Sequence, residues 1–306
     1  MIEKLKARIN RYFIGKEDVV DNLLICLLAG GHVLLEDVPG VGKTTLARIL
    51  ADSIGADFGR IQFTPDTLPG DVTGISIYNM KTGEFEYRQG AVMHNFLLAD
   101  EINRTSPKTQ SSLLEAMAEG QVTVDGNIYR MYEPFMVMAT QNPVEFLGTY
   151  PLPEAQLDRF MMRLSIGYPE KESEILLTRN SLENMTFDHE DPVCSIKDIT
   201  DIKKSVEEVH ISDKILEYIQ EISMLTRKEE CFVIGVSPRA TIFMARAARA
   251  KAYIEGRDFV KPDDVKAISI NTLHHRLMLT SQARIKNENI DSLIKALIVK
   301  ARIPLE

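Results

Sequence analysis

The stretch HVLLEDVPGVGKTTLARIL, residues 32–50, joins a short apolar strand, a glycine-bearing turn and the start of an amphipathic helix. Its turn matches the end of the phosphate-loop pattern G-x-x-x-x-G-K-[ST] at Gly42, Lys43 and Thr44. The first glycine of that pattern is replaced by Asp37, which departs from the pattern at the entry to the loop. A plain strand-to-helix turn is the alternative interpretation. The order of strand, GKTT and helix favours a loop that binds nucleotide phosphates.

The loop supplies the groups that a triphosphate needs. Gly40 and Gly42 allow a tight turn whose backbone N–H groups can point inward, and the following helix adds the positive end of its dipole. The ammonium of Lys43 would bridge the β- and γ-phosphates of ATP, and the hydroxyl of Thr44 would ligate Mg²⁺. The predicted nucleotide-binding residues of the loop are Pro39, Gly40, Val41, Gly42, Lys43, Thr44 and Thr45.

The rest of the first half alternates short apolar runs with helical patterns, which is typical of an α/β domain. Several of the runs are almost continuously apolar, as in parallel strands that helices cover on both faces. This pattern predicts a parallel sheet flanked by helices. The predicted strands are 32–36, 60–63, 96–100, 135–140 and 163–166, and the predicted helices include 44–53 and 106–119.

Two segments interrupt that alternation. Residues 75–90 alternate in polarity around a glycine, and residues 121–132 contain Asp125-Gly126, a strong signal for a two-residue hairpin turn. Both segments are interpreted as hairpins inserted into the α/β core, with surface loops as the alternative.

The second half changes character at about Glu170, after which almost every segment reads as amphipathic helix. Residues 184–194 are polar and acidic and read as a loop or linker. The chain is therefore predicted to contain an α/β nucleotide-binding domain at 1–182 and an all-α lid domain at 195–306. The predicted lid helices are 212–226, 237–255, 261–276 and 289–301.

The composition is that of an ordinary folded protein rather than a membrane or secreted one. The chain has 306 residues and a formal net charge of -8, which disfavours an extended surface for nucleic acid. Its three cysteines, Cys26, Cys194 and Cys231, show no metal-binding spacing and are interpreted as reduced, buried thiols. No apolar run is long enough to span a membrane, and the charged start of the chain does not resemble a signal peptide. We expect a cytoplasmic protein.

The run FLLADE, residues 96–101, is an apolar strand that ends in two acids. Ligands of open α/β sheets bind at the carboxyl ends of the strands. Asp100 would hold Mg²⁺ and its hydration shell, and Glu101 would orient and deprotonate the attacking water. An acid pair after an apolar run can also be a simple turn, so this assignment depends on the phosphate loop earlier in the same core.

The strand at 135–140 leads into Gln141-Asn142-Pro143. An amide at this position, beside the two acids, could hold the water that attacks ATP. Asparagine before proline is also common in turns, which is the alternative interpretation. The context of the acids favours a functional role for Asn142.

Three arginines are candidates for contacts to phosphate. Arg159 and Arg163 are spaced by one helical turn, and either could reach a neighbouring subunit's γ-phosphate as an arginine finger; Arg159 is preferred. A solvated or salt-bridged helix face is the alternative. Arg239 lies in the first turn of a helix that Ser237 caps and Pro238 opens. A cation is disfavoured there by roughly 0.3–1 kcal/mol, and a nearby anion such as the γ-phosphate would remove the conflict.

Taken together, these residues resemble AAA+ ATPases: Walker A at 39–45, Walker B at 96–101, sensor 1 at Asn142, a finger at Arg159 and sensor 2 at Arg239. Within that superfamily the chain resembles the MoxR family, in which aspartate is common at the Asp37 position. The stretches that carry the resemblance are LLEDVPGVGKTTLA, RIQFTPDTLPGDVTG, LLADEINRTSPKTQSSLLEAMAEGQVTVDG, ATQNPVEFLGTYPLPEAQLDRFMM and GVSPRA.

The resemblance implies more than the residues alone establish. It implies that Ile14 and Gly15 border the adenine, that the two hairpins are the helix-2 and pre-sensor-1 inserts, and that they line or cap a central pore. It further implies a hexamer with a chaperone-like role, working with a von Willebrand factor A domain partner to mature or assemble a client complex, sometimes by metal insertion.

Three other functions remain open from the sequence. A small-molecule P-loop kinase would need an acceptor pocket and no ring. A nucleic-acid-linked AAA+ motor would need a basic surface, which the net charge of -8 disfavours. A nucleotide switch without hydrolysis would not need the acid pair at Asp100 and Glu101.

Overall fold

The computed structural model describes residues 1–142, 148–182 and 190–303, and it contains both helices and strands along most of that length. The helices are α1 (Ile2–Tyr12), α2 (Glu17–Leu28), α3 (Lys43–Ile54), α4 (Pro69–Thr73), α5 (Pro107–Glu119), α6 (Glu154–Leu157), α7 (Lys171–Leu182), α8 (Ile196–Glu208), α9 (Asp213–Lys228), α10 (Pro238–Ile254), α11 (Pro262–Leu273), α12 (Ser281–Ile285) and α13 (Ile290–Lys300). The strands are β1 (Val33–Glu36), β2 (Phe58–Gln62), β3 (Gly74–Asn79), β4 (Glu84–Gln89), β5 (Phe96–Asp100), β6 (Gln121–Val124), β7 (Asn127–Arg130), β8 (Met136–Gln141), β9 (Met162–Leu164), β10 (Phe232–Ile234) and β11 (Met278–Leu279).

The chain forms two compact units. The first comprises residues 1–21, 32–152 and 164–200, and the second comprises 22–31, 153–163 and 201–306. The units therefore differ from the continuous division at 1–182 and 195–306, because two short segments of the first half group with the helical unit. One of these segments, residues 22–31, contains the apolar C-terminal end of α2, which is buried. The domain boundaries themselves remain a prediction.

The strands β2, β5, β8 and β1, in that order within the sheet β2-β5-β8-β1-β9, form the core of the first unit. The pairs β2–β5, β5–β8 and β8–β1 are parallel, as the apolar runs predicted. Parallel pairing brings the carboxyl ends of these strands to one edge, with Gln62 opposite Asp100 and Glu36 opposite Gln141. The loop that follows β1, the acids that end β5 and the amides that end β8 share this edge.

Helices cover the sheet with the faces that the sequence predicted. In α3 the buried side chains include Leu46, Ala47, Ile49 and Leu50, and Gly55 ends the helix in the left-handed conformation. In α5 the hydroxyl of Ser106 accepts a hydrogen bond from the backbone of Thr109, and proline takes the first helical position. The predicted α/β fold class is confirmed.

The two inserted segments are hairpins that contact each other. Strands β3 and β4 pair antiparallel, as do β6 and β7 around Asp125 (φ 50°) and Gly126 (φ 80°), the two positive values of a type I′ turn. The rings of Tyr87 and Tyr129 stack with their centroids 3.8 Å apart. The amide of Gln89 also donates to the hydroxyl of Tyr132 at 3.2 Å.

The second unit is built mainly of α9, α10, α11 and α13, as the helical periodicity predicted. The core of α9 contains Tyr218, Ile219 and Ile222, all fully buried. The sequence did not indicate a two-stranded antiparallel sheet of β10 and β11, whose strands are too short to show a period. Part of the predicted loop at 184–194 lies outside the described residues.

The described residues include all three cysteines and the helices that were compared with a membrane span. All three cysteines are free thiols; Cys26 and Cys194 are buried, whereas Cys231 is only partly buried, contrary to the expectation. Burial raises the pKa of the Cys194 thiol to about 11, which keeps it protonated. Within these same residues, none of the helices combines the length and the apolar character of a membrane span.

We expect Leu98→Ala to destabilise the first unit by about 2–5 kcal/mol, because Leu98 lies on the interior strand β5 with 0% of its surface exposed. Leu68→Ala is the matched control, since Leu68 is 64% exposed in the same unit and should change the free energy of unfolding by less than about 0.5 kcal/mol. Urea unfolding followed by circular dichroism measures both. Equal effects of the two substitutions would contradict the assignment of β5 to the core.

Candidate nucleotide site

The loop between β1 and α3 leaves backbone N–H groups available for an anion. Gly40 (φ 87°) and Gly42 (φ 90°) take conformations that disfavour other residues. Gly42 is also the N-cap of α3, and no side chain caps the helix there. A Cβ at Gly40 would meet nothing within 4 Å, so open space lies over the loop. An uncapped helix start beneath open space is the arrangement that binds phosphate.

The ammonium of Lys43 folds over the same loop. It donates to the backbone carbonyls of Asp37 at 2.8 Å and Val38 at 3.3 Å. Burial lowers the pKa of Lys43 below its ordinary value. The carboxylates of Asp37, Asp100 and Glu101 act in the opposite direction, so all three lie within electrostatic range of the ammonium. A phosphate group would replace weak carbonyl acceptors with a charged one.

The departure at Asp37 has a structural explanation. This carboxylate is only 5% exposed, and it accepts hydrogen bonds from the hydroxyl of Ser165 at 3.0 Å and from the backbone N–H groups of Ile166 at 2.5 Å and Gly167 at 3.0 Å. A carboxylate that accepts several N–H bonds can be buried without a counter-charge. Asp37 thus attaches the entry of the phosphate loop to the segment that follows β9.

That segment forms one wall of a pocket beside the loop. The pocket has a volume of about 210 Å³ and combines aromatic, aliphatic and glycine surfaces. Gly15 (φ 77°) lies directly next to it, and a Cβ there would come within 2.4 Å of the Ser173 hydroxyl. The lining residues are Tyr12, Phe13, Ile14, Lys16, Gly40, Val41, Gly42, Thr45, Ile166, Gly167, Pro169 and Leu177. The pocket therefore places Ile14 against the loop, where the base of a nucleotide would be expected.

The two acids at the end of β5 are held by different partners. The hydroxyl of Thr140 donates to Asp100 at 2.6 Å and accepts from the backbone N–H of Glu101 at 2.8 Å. Arg60 donates to the other oxygen of Asp100 at 2.8 Å. The side chain of Glu101 accepts from Gln62 at 2.7 Å, and Arg104 lies 3.3 Å from the same oxygen.

Glu101 has a backbone conformation that is unusual for a residue with a side chain. Its φ of 56° and ψ of 50° lie in the left-handed region, which costs about 1–2 kcal/mol for residues other than glycine. Such strain is often found where a functional side chain must be directed. Here it turns the chain sharply after β5.

The amide predicted as sensor 1 follows the neighbouring strand. Asn142 comes directly after β8 and is 7% exposed. Since β8 lies between β5 and β1, it stands between the strand of the acids and the strand of the phosphate loop. Pro143 lies outside the described residues.

The predicted arginines belong to the helical unit. Helix α6 ends at Leu157, so Arg159 lies in the turn after it and Arg163 lies on β9. The expectation that these two arginines are one helical turn apart is therefore wrong, because the helix stops before either of them. Arg239 is the second residue of α10, as predicted, and the hydroxyl of Ser237 caps that helix.

Comparisons with known proteins agree with this site. Residues 32–162 match the family model of the ATPase family associated with various cellular activities (AAA), and residues 224–297 match that of the AAA lid domain. The chain is 50% identical to protein YeaC of Bacillus subtilis strain 168 over 306 residues, 100% of this chain and 96% of that protein. It is 40% identical to chaperone MoxR1 of Mycobacterium tuberculosis over 293 residues, 92% of this chain and 77% of that protein.

This chain belongs to the MoxR family of AAA+ ATPases. A solved structure of a candidate ATPase from Cytophaga hutchinsonii has the same fold, with a TM-score of 0.92 and 40% identity, covering 99% of this chain and 95% of that one. The match of the AAA lid model agrees with the helical second unit.

The structure adds site residues of this MoxR-family chain that the sequence did not indicate. Gln62 and Arg60 lie on β2 and contact the acid pair, yet only the order β2-β5 brings them there. Their alternate spacing on one strand is the single signal that the sequence contains. In the sequence, Thr140 is only the last residue of a predicted apolar strand, and nothing there indicates its contacts with the acid pair.

Asp158 was also missed, although it precedes Arg159. In the helical unit it accepts from the Ser237 hydroxyl at 2.9 Å and from Arg276 at 2.7 Å. Its carboxylate lies 4.0 Å from Arg239, so an anion other than the expected γ-phosphate already lies beside the first turn of α10.

We expect Asp37→Asn to weaken ATP binding, because the amide would direct a donor toward N–H groups that now donate to a carboxylate. Losing hydrogen bonds to a charged acceptor costs about 1.5–3 kcal/mol, so the dissociation constant for ATP should rise and the unit should melt at a lower temperature. Asp66→Asn is the control, since Asp66 is exposed in the same unit. Calorimetry with ATP and a thermal melt test both, and an unchanged Asp37→Asn protein would remove this carboxylate from loop positioning.

Proposed function

We propose that this MoxR-family chain hydrolyses MgATP as an oligomeric ring, with a hexamer as the expected form, and uses the energy to remodel or assemble a partner complex. The observation that carries the proposal is the shared sheet edge. There an uncapped phosphate loop, a buried amide and a strained glutamate follow three adjacent parallel strands. Each group suits one part of the hydrolysis of a triphosphate.

Each residue has a separate proposed role in that reaction. The N–H groups of 40–45 and the ammonium of Lys43 bind the β- and γ-phosphates. Glu101 accepts a proton from the attacking water, whose oxygen bonds to the γ-phosphorus as the bond to the β-phosphate oxygen breaks. Asn142 orients that water. The Glu101 carboxylate accepts a hydrogen bond from Gln62 in this structure. A hydrogen bond from the attacking water has to replace it before the proton is transferred.

The residues present also fit Mg²⁺. The hydroxyl of Thr44 and the carboxylate of Asp100 are the hard oxygen donors that this ion takes beside phosphate oxygens and water. No cluster of three or more acidic, histidine or cysteine ligands occurs in the described ranges. When bound, the ion neutralises charge on the phosphates.

The arginines of the helical unit complete the proposal. Arg159 is proposed to act on ATP of a neighbouring subunit, with Arg163 as the second choice, and Arg239 to sense the γ-phosphate. The hairpins are proposed to contact the client or line the pore, since Tyr78, Met80 and Phe85 are exposed apolar side chains near one tip. A von Willebrand factor A domain protein is the proposed partner; insertion of a metal into the client is a further option.

Two rival functions predict different results. A small-molecule P-loop kinase would be active as a monomer. A nucleic-acid-linked motor would turn over ATP faster with DNA or RNA, and the net charge of -8 gives it no general electrostatic support. The exposed apolar side chains of the first hairpin favour protein remodelling, because such a surface suits contact with another protein.

We expect Glu101→Gln to bind ATP with an affinity close to that of the parent and to hydrolyse it at least about 10²-fold more slowly, since loss of a general base typically costs 10²–10⁴-fold. Phosphate release and calorimetric ATP binding separate the two effects. Glu119→Gln is the control, because Glu119 is an exposed carboxylate at the end of α5. Full turnover by the Glu101→Gln protein would remove this residue from the reaction.

We expect Arg159→Ala to lose turnover by roughly 10³-fold or more while still binding ATP. Mixing it with a Lys43→Ala protein should restore part of the activity, because a mixed ring pairs an intact ATP site with an intact arginine. Arg163→Ala, tested in the same mixtures, decides between the two arginines. If Arg159→Ala is inactive and mixing restores nothing, the arginine does not act between subunits.

A further inference from the structure

The helical unit contains a second cavity that the ATPase reaction does not use. It has a volume of about 490 Å³, within the usual range for small-molecule sites. Its walls come from the end of α2 and the two residues after it, from α8 and from α10. Leu28 and Val206 give it a buried apolar base.

The cavity is lined by more positive than negative charge. Lys203, Arg246 and Arg249 face it, and Glu207 is its one carboxylate. The two arginines are three residues apart on α10, and Lys203 and Glu207 are four apart on α8, so each pair occupies one face of its helix. Three cations against one carboxylate leave a surplus of two positive charges, in a chain whose net charge is -8.

These cations have no acceptor in the described part of the chain. None of the three forms an ion pair within 4.0 Å or a hydrogen bond there, unlike Arg257 and Arg276 of the same unit. The Nε of Arg249 is out of contact with solvent and has no hydrogen-bond partner among the described residues. A buried donor without an acceptor costs about 1–3 kcal/mol, which a bound anion would recover.

We propose that this cavity binds the phosphate group of a small molecule. A surplus of two positive charges matches a phosphate monoester, which carries close to two negative charges at neutral pH. The arginine guanidiniums can donate in pairs to phosphate oxygens, and Lys203 adds a point charge from α8. A Cβ at Gly30 would lie 3.7 Å from the Lys203 ammonium, which places that charge over a bare backbone rather than in open solvent.

Glu207 defines the rest of the ligand. A carboxylate only accepts hydrogen bonds, so it repels a second phosphate and favours a hydroxyl or amino group beside the first. The ligand class is therefore a phosphate monoester that carries a hydrogen-bond donor, such as a phosphorylated sugar or nucleoside. This site is separate in sequence from the phosphate loop, and the proposal does not depend on ATP hydrolysis.

The test uses the full chain with Lys43→Ala, so that the phosphate loop does not contribute to anion binding. Calorimetry with ribose 5-phosphate and with inorganic phosphate measures the affinity. We expect a dissociation constant at or below about 1 mM for ribose 5-phosphate. Replacing Lys203 and Arg249 by Met should weaken it at least about tenfold. The single variant Arg246→Met, at an exposed position, should weaken it several-fold and keeps the test valid if the double variant folds poorly.

Lys204→Met with Lys228→Met is the matched control, because it removes two exposed cations of the same unit and should leave the affinity unchanged. Three results would overturn the proposal: no binding of either phosphate compound, equal weakening in the control, or binding that persists in both cavity variants. Binding of a glutamate-rich peptide instead, lost in the Lys203/Arg249 variant, would also overturn it in favour of an acidic protein partner.

Discussion

The parallel ladder of β5, β8 and β1 is the constraint on which the candidate site depends. Hydrogen bonding between adjacent parallel strands fixes their direction and register, so whatever follows their carboxyl ends must meet at one edge. The chain places a phosphate loop after one of these strands, an acid pair at the end of another and an amide after the third. Without this strand order the three features would be unrelated turns. With it, they can act on a single triphosphate.

The aspartate at position 37 shows how a departure from a motif can be compensated. In the usual pattern a glycine opens the phosphate loop, and glycine can adopt backbone conformations that other residues disfavour. Here the opening residue is Asp37, and its buried carboxylate accepts hydrogen bonds from three donors in residues 165–167. The loop is therefore fixed by contacts with another segment, and it does not depend on the conformational freedom of a glycine at this position. Because Ile166 and Gly167 also line the neighbouring pocket, the phosphate loop and that pocket share one supporting segment.

The sequence predicted the parts of the structure that local pattern determines. Continuous apolar runs, GKTT at a strand-to-helix turn and Asp125-Gly126 each depend on neighbours in sequence, and all appear in the structure where they were expected. Contacts that depend on strand order could not be predicted in this way. Gln62 and Glu101 are 39 residues apart in sequence, and only the pairing of β2 with β5 brings them together. The end of α6 before Arg159 was missed for a related reason, since a four-residue helix shows too little periodicity to locate its end.

In the helical unit the carboxylate of Asp158 accepts hydrogen bonds from more than one donor. Arg276 is 5% exposed; burial lowers the pKa of its guanidinium, whereas the hydrogen bond to Asp158 raises it. The same carboxylate accepts from the cap of α10 and lies near Arg239. Of the two arginines beside Asp158, Arg276 is the closer at 2.7 Å, and Arg239 lies at 4.0 Å. Because Arg276 donates to both the carboxylate and the backbone carbonyl of Asp158, the turn that carries Arg159 is attached to the helical unit without depending on Arg239.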